Sequence, residues 1–69
     1  MGNPQQDNLL RRRSVTARTG LSSSSLSRAV RARSFPLPVV LTERTVAWRE
    51  SEVDAWIASR PTIKVESAR

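Results

Sequence analysis

The sequence predicts a mainly α-helical domain with a small β-hairpin, arranged as a winged helix-turn-helix of three short helices and a two-stranded wing. Three observations lead to this class. Gly20 separates two short helical patterns, as in the turn between paired helices. Two β-branched runs then follow a proline-containing stretch, which is typical of a hairpin. A last helix is indicated by apolar residues at helical spacing, Val53, Trp56 and Ile57.

The composition limits the chemistry available to the chain. It has 69 residues with neither cysteine nor histidine, so disulfides, thiolate zinc sites and the commonest general base are excluded. We therefore expect no catalytic residue, no metal site, no cofactor and no enzyme activity. No apolar run approaches the roughly 18 residues that span a bilayer, and the N-terminus lacks the pattern of a signal peptide. A cytoplasmic, nucleoid-associated protein of a bacterial host cell is expected.

Charge is unevenly distributed along the chain. Residues 8–49 contain nine arginines and one acidic residue, a net charge of +8, whereas residues 50–69 carry −1. Arginine forms bidentate contacts with phosphates and with base edges. A small basic domain of this kind favours nucleic acid as its partner, ahead of an anionic membrane surface.

The ordered domain is expected over residues 8–60, between a disordered arm over 1–7 and a flexible tail over 61–69. Leu9–Leu10 begin the ordered part, either as a short edge strand or as an extended lead-in. Arg11–Arg13 follow directly. They are interpreted either as a solvated basic turn or as a phosphate clamp beside the first helix.

The first two helices are defined by their end signals. Ser14 is the expected N-cap of a short helix over 15–19, and Gly20 allows the left-handed conformation that ends it. Ser22 is the expected N-cap of the second helix, over about 23–33. Val15 and Leu21 are expected to face the core.

The second helix has two faces. Leu26, Ala29 and Val30 lie at helical spacing and form the apolar face. Hydroxyl groups and guanidinium groups, which bond bases or phosphates, form the other face: Ser23, Ser24, Ser27, Arg28 and Arg31. The alternative for the serine run is a linker, because serine side chains compete for backbone hydrogen bonds.

The wing follows a turn with two prolines, in which Phe35 is expected to plug the core under the second helix. Val39–Leu41 and Thr45–Trp48 are the predicted strands, joined by 42–44. Because this connection has no glycine, we expect a longer loop and not a two-residue type I′ turn. Trp48 is the expected anchor of the hairpin on the helices.

The last helix carries typical end signals. Ser51 is the expected N-cap, with Asp54 three residues later as in a capping box. Acidic residues lie at its start, where the helix dipole favours them, and Arg60 and Pro61 lie at its end. We interpret these acids as helix-end chemistry and not as catalysis, because nothing completes a catalytic site.

The chain resembles the AlpA-type regulators of phages and prophages, a branch of the MerR-like winged-helix proteins that includes small excisionases. The resemblance covers roughly residues 8–60. The matching segments are Leu9-Leu10, Arg18-Thr19-Gly20-Leu21-Ser22, Ser25-Leu26 with Arg28, Phe35-Pro36-x-Pro38-Val39, Leu41-x-x-Arg44-x-Val46-x-Trp48 and Ser51-Glu52-Val53-x-x-Trp56-Ile57. It implies a DNA-binding winged helix-turn-helix that controls integrase expression or excision of a mobile element.

Three positions depart from the family pattern. Ser27 stands where members often carry an aromatic residue, and Thr42 stands where the wing loop usually contains glycine. Arg33 stands where many members have glycine, which implies a slightly longer second helix. Arg44, at the wing tip, is interpreted either as an exposed partner of Glu43 or as a contact to the minor groove or a phosphate.

The residues expected to contact DNA are Arg11, Arg12, Arg13, Ser22, Ser23, Ser24, Ser25, Ser27, Arg28, Arg31 and Arg44. The expected partner is double-stranded DNA, with self-association on DNA and with integrase or RNA polymerase as further partners. Three functions remain open: a sequence-specific transcriptional regulator of a mobile element, an excisionase that binds repeated sites and bends DNA, and a protein-interaction adaptor or antirepressor.

Overall fold

The order of helix, turn, helix, hairpin and helix is as predicted, and the sheet has one strand more than the expected wing. A computed structural model describes residues 7–63. Its elements are β1 (Leu9–Leu10), α1 (Arg12–Thr19), α2 (Ser23–Arg31), β2 (Val39–Thr42), β3 (Thr45–Arg49) and α3 (Glu50–Ala58). The strands form an antiparallel sheet in the order β1-β3-β2. The rest of the expected arm and tail, 1–6 and 64–69, lies outside the described residues.

The lead-in at Leu9–Leu10 is therefore an edge strand. Leu10 lies opposite Trp48, and Leu9 lies opposite Arg49. The two leucines extend the hairpin into a three-stranded sheet, which is more stable than an isolated two-stranded one. The fold is a winged helix-turn-helix, mainly α-helical with this small sheet.

The core lies where the helices meet the sheet, and each major element contributes to it. Its buried side chains come from α1, α2, the turn after α2, β3 and α3: Val15, Leu26, Phe35, Trp48 and Val53. The ring of Phe35 packs edge-on against Trp56, with centroids 4.7 Å apart. The indole N–H of Trp48 donates to the carbonyl of Pro36 at 2.9 Å. The predictions that Phe35 plugs the core and that Trp48 anchors the hairpin are confirmed.

The start of α1 differs from the prediction. The helix begins at Arg12, so Ser14 lies inside its first turn and does not cap it, and the preceding Arg11 makes no side-chain capping bond. The N–H of Val15 already donates to the carbonyl of Arg11 at 3.0 Å. Burial of Val15 therefore holds a full first turn that the local serine signal did not indicate. The end is as predicted, because Gly20 adopts the left-handed conformation with φ +82°.

The end of α2 also differs from the prediction. The helix stops at Arg31, not at Arg33, and Arg33 takes the left-handed conformation with φ +64°. The N–H of Arg33 donates to the carbonyl of Val30 at 3.0 Å, and that of Ser34 donates to Ala29 at 2.9 Å. These two bonds form a Schellman motif, which normally has glycine at this position. The family glycine that Arg33 replaces thus marks a helix end, and its absence does not lengthen the helix.

The hairpin turn is shorter than expected. Thr42 pairs with Thr45, so the turn has two residues, Glu43–Arg44. Neither residue has a positive φ, which confirms the prediction that the turn is not of type I′. The prediction of a longer loop is wrong. The register shifts by one residue at Leu41, which forms a β-bulge. A bulge adds local twist, and we infer that it lets a glycine-free turn close the hairpin.

The start of α3 is capped from a distant part of the chain. Ser51 is not the N-cap, because the helix begins at Glu50 and has no side-chain cap at its N-cap residue. The N–H of Ser51 donates to a carboxylate oxygen of Asp7 at 3.0 Å, and its hydroxyl donates to the other oxygen at 2.7 Å. The N–H of Glu50 donates to the carbonyl of Asn8 at 2.8 Å. Asp7, which the sequence assigned to the arm, thus satisfies one free amide of this helix, and the carbonyl of Asn8 satisfies another.

Arg18 joins α1 to α3. Its guanidinium lies 3.1 Å from the carboxylate of Glu50 and 3.0 Å from that of Asp54. The hydrogen bond to Asp54 is the main cause of a raised pKa at Arg18, and the charges of both carboxylates add to it. Asp54 therefore bridges two helices and does not close the predicted capping box with Ser51.

Candidate nucleic-acid interface

The second helix of the helix-turn-helix presents its polar face to solvent. Ser24, Arg28 and Arg31 are exposed along this face, while the opposite face packs into the core through Leu26. The guanidinium of Arg28 makes one weak contact, 3.5 Å from the hydroxyl of Ser25. The exposed groups of α2 are thus hydroxyls near its start and guanidiniums further along, as the sequence predicted.

Ser22 and Ser25, two of the serines predicted to contact DNA, form hydrogen bonds at the start of α2. The Ser22 hydroxyl accepts the backbone N–H of Ser25 at 3.0 Å, which confirms Ser22 as the N-cap of α2. The two hydroxyls are also hydrogen-bonded to each other at 3.0 Å. Each hydroxyl oxygen keeps further hydrogen-bonding capacity, so contact with DNA stays a prediction for both.

Arg12 lies between α1, α2 and the sheet. Its Nη1 is 3.2 Å from the carbonyl and the hydroxyl of Ser23 and 3.2 Å from the hydroxyl of Ser27. The guanidinium also lies over the ring of Trp48, 5.7 Å from its centroid. Of the three consecutive arginines, Arg12 is therefore the one whose position the fold fixes.

Arg11 and Arg13 are exposed at the start of α1. The first turn of this helix contains no acidic residue, so its positive dipole end adds to the positive charge of the arginines. Like charges at a helix start cost stability, and an anionic partner would relieve that cost. The exposure of both side chains fits a solvated basic turn as well as a phosphate clamp, so the phosphate clamp stays a prediction.

A cavity of about 340 Å³ opens between α2 and the hairpin. It is lined by Arg12, Ser27, Val30, Arg31, Pro38, Val46 and Trp48. Arg31 also borders a neighbouring surface cavity with Arg28 and Ala32. The structure thus brings three of the predicted site residues, from α1 and α2, to one concave surface.

Arg44 is exposed at the turn of the hairpin and is not brought to that cavity. The ion pairs found within residues 7–63 both involve Arg18, so the alternative that pairs Arg44 with Glu43 has no support in its geometry. The backbone N–H of Arg44 donates to the hydroxyl of Thr42 at 3.4 Å. Its side chain projects from a short, bulged hairpin, which is consistent with a reach toward a neighbouring molecule.

The chemistry on the side of α3 is different. A cavity of about 620 Å³ there is lined by Pro36, Leu37, Glu52, Ala55, Trp56 and Ser59, and its single charged residue is acidic. A polyanion is repelled by such a charge. The cavity between α2 and the hairpin, by contrast, is lined by two arginines and no acidic residue.

Neither a metal-binding cluster nor a membrane-spanning helix is found in the part of the chain that the structure describes. Within residues 7–63, no group of three or more His, Cys, Asp or Glu side chains could hold a metal ion. No helix in the same residues is long and apolar enough to cross a membrane.

Sequence reasoning missed the internal contacts of two arginines. It assigned no structural role to Arg18, which bridges α1 and α3, or to Arg12, which connects α1, α2 and Trp48. The residues that these arginines contact lie between 11 and 36 positions away. No local spacing rule links such pairs, so only the fold could have identified them.

The comparisons with known proteins identify a family. The sequence profile described as "Prophage CP4-57 regulatory protein (AlpA)" matches residues 8–61. A protein of Enterobacteria phage P4, described as "Uncharacterized protein ORF88", is 42% identical over 55 residues, which are 80% of this chain and 62% of that relative. No solved structure matches. Since the profile covers the helix-turn-helix, the hairpin and α3, the chain belongs to the AlpA family of phage and prophage regulatory proteins.

Proposed function

We propose that this protein is a sequence-specific double-stranded DNA-binding regulator of a phage or prophage-like mobile element, which acts on transcription of integrase or excision genes. The observation that carries the proposal is the exposed polar face of α2, with Ser24, Arg28 and Arg31, beside a basic cavity and the hairpin. Such a protein would work on DNA at the nucleoid of its host. Its role is binding, without a catalytic step.

The interface suggests how each element would contribute. In a helix-turn-helix the second helix enters the major groove, with residues near its N-terminus closest to the base edges. Small side chains such as Ser24 allow close approach, and the fork of Arg28 matches the O6 and N7 atoms of guanine. Arg11 and Arg13 would contact phosphates, which fix position and carry no sequence information directly. Arg44 would extend the contact beyond the major groove.

The runner-up function is an excisionase that binds repeated sites and bends DNA for an integrase. The small size of the domain favours binding by several copies, because a single module of this kind buries only about 600–1,000 Å² of its surface on DNA. Self-association on DNA is part of the proposal for both roles. Direct contact with an integrase or with RNA polymerase would distinguish the third role, that of an adaptor or antirepressor.

The experiment that tests the proposal is selection of bound duplexes from a random library at near-physiological salt, followed by salt titrations on the winning and a scrambled duplex. A recovered motif near integrase or excision genes, with preference over the scrambled duplex, is the expected result. If affinity fell steeply with salt on both duplexes and no motif were recovered, the protein would bind only the DNA backbone. That result would favour the excisionase role, in which the protein bends DNA. Absence of duplex binding, with a DNA-independent partner in pull-down, would favour the adaptor.

A further inference from the structure

We infer that the cavity between α2 and the hairpin is a binding site for one phosphate group, held by Arg12 and Arg31 with the hydroxyl of Ser27. The inference deepens the proposed function and rests on it for the source of the phosphate, which in that function is the DNA backbone. The same chemistry would also accept free inorganic phosphate, so the two sources require separate tests.

The first reason is that Arg12 is a partly buried cation without an acidic partner. The residue as a whole is partly buried, and the ion pairs found within residues 7–63 belong to Arg18. Its protein partners are neutral oxygens of Ser23 and Ser27. Removing a charge from water is costly unless an opposite charge compensates it. An anion that enters the cavity would supply that charge.

The second reason is that the donors of Arg12 are already positioned. All three of its hydrogen-bonding contacts use Nη1, so Nη2 and Nε make no hydrogen bond within residues 7–63. The ring of Trp48 lies on one side of the group, with its centroid 5.7 Å from the guanidinium carbon. A guanidinium held in this way can offer two parallel N–H donors to a phosphate with little further loss of side-chain freedom.

The third reason is the composition of the cavity wall. Arg31, an exposed and flexible side chain, brings a second positive charge to the same space. Val30, Pro38 and Val46 form the apolar part of the wall. Charge-assisted hydrogen bonds are stronger beside apolar groups than in bulk water. The site thus combines two cations and one hydroxyl with a partly apolar wall.

The fourth reason is location. The cavity lies between α2 and the hairpin, the two elements that the proposed function assigns to adjacent contacts on the duplex. A strand that passes from the groove occupied by α2 toward the hairpin would bring a phosphate over this opening. Arg12 would then act as a positioning contact, which sets the register of α2 without selecting a base.

The first test titrates inorganic phosphate into the whole protein without DNA and follows the Arg12 side-chain and Trp48 indole resonances by NMR. We expect a saturable shift at both, weakened in Arg31→Gln, and we expect the Trp48 shift to be lost in Arg12→Gln. Arg60→Gln is the matched control, because Arg60 also lies over a tryptophan, 4.4 Å from the ring of Trp56, but does not line this cavity. A shift that spreads over all arginines, or one that persists unchanged in Arg31→Gln, would overturn the site.

The second test uses DNA and separates the site from the proposed function. Each lost phosphate contact lowers the salt slope of log affinity by about 0.9, so Arg12→Gln should lower the slope by that amount and weaken binding by the same factor on the selected and the scrambled duplex. Full salt slopes in the Arg12 and Arg31 variants would overturn the site while the proposed function stands. A phosphate shift without any duplex binding would leave the site standing, with free phosphate as its ligand, and would overturn the proposed function.

Discussion

Arg28 is the residue on which base recognition should depend most. It is exposed in the middle of α2, and within residues 7–63 its guanidinium has only a weak contact with Ser25, so its fork is available to a base pair. We expect Arg28→Ala to cost about 1–3 kcal/mol on the selected duplex and to relax preference at one position of the recovered motif. Repeating the selection with the variant measures both effects, with Arg49→Ala as an exposed-arginine control. Equal weakening on every sequence would instead identify Arg28 as a phosphate contact.

Gly20 and Arg33 should respond in opposite directions to substitution, because both adopt positive φ after a helix. Gly20→Ala should destabilise the fold by about 1 kcal/mol. An added Cβ there would meet nothing within 4 Å, so the cost would be conformational only. Arg33→Gly relieves strain of roughly 1–2 kcal/mol and frees the unfolded chain by about 0.5–1 kcal/mol, so a gain of up to about 1 kcal/mol is expected.

Urea unfolding followed by tryptophan fluorescence would measure both changes at neutral pH. Arg33→Ala provides the control for the lost guanidinium, because alanine keeps the strained conformation. If Arg33→Gly and Arg33→Ala changed the free energy of unfolding equally, backbone strain at this position would not be the cause.

At the scale of elements, the hydrogen bonds between Asp7, which precedes β1, and Ser51 of α3 should stabilise the fold in a pH-dependent way. The carboxylate of Asp7 accepts two hydrogen bonds from Ser51, one from its hydroxyl and one from its backbone N–H. These bonds, of which the hydroxyl bond has the larger effect, hold the pKa of Asp7 below its ordinary value of 3.8. Because the folded pKa is lower than the unfolded one, this stabilisation is complete above the unfolded pKa. It is lost as the pH falls through the folded pKa.

We therefore expect Asp7→Asn to lower the free energy of unfolding at neutral pH and to converge with the parent protein in strong acid. Unfolding curves recorded at several pH values would show a smaller acid dependence in the variant. Glu43→Gln is the matched control, since Glu43 forms no ion pair within residues 7–63. Parallel pH profiles for Asp7→Asn and the parent protein would contradict the prediction.

Which face of each helix turns inward could be predicted, whereas some helix ends could not. Leu26 and Val53 are buried as periodicity indicated, because a helix must turn its apolar face to the core. Ser14 and Ser51 both carry the local signal of an N-cap, and neither caps its helix. For Ser51 the physical reason is Asp7, 44 positions away, which binds its N–H and hydroxyl. Capping by a distant residue leaves no mark in the local sequence.

At the scale of the whole molecule, the sign and position of the charge could be predicted, but the use of each arginine could not. Two arginines of the basic part of the chain, Arg12 and Arg31, line the cavity between α2 and the hairpin, while Glu52 lines the cavity beside α3. Yet Arg18 is committed to Glu50 and Asp54, and Arg12 is fixed by α2 and Trp48. Composition cannot separate arginines that hold elements together from those that remain available to DNA.

Cooperative binding to adjacent sites is the expected behaviour of the whole molecule on DNA. One copy buries only about 600–1,000 Å² of its surface, so a single site should be bound weakly. A neighbour bound on the same face of the duplex has a high effective concentration, and even a modest contact between copies then raises affinity. We expect a duplex with two selected sites in phase to be bound more tightly, and with a steeper concentration dependence, than one with a single site.

The control for this prediction moves the second site by half a helical turn, about 5 base pairs, which keeps both sequences but rotates one copy to the opposite face. Footprints on the in-phase duplex should extend over both sites at a concentration that leaves the single site unprotected. If the in-phase and out-of-phase duplexes bind alike, the copies do not touch, and each site is read independently. A bend that appears only with the in-phase arrangement would favour the excisionase role, because bends at sites in phase point the same way and add to one overall curve, whereas bends half a turn apart point in opposite directions and cancel.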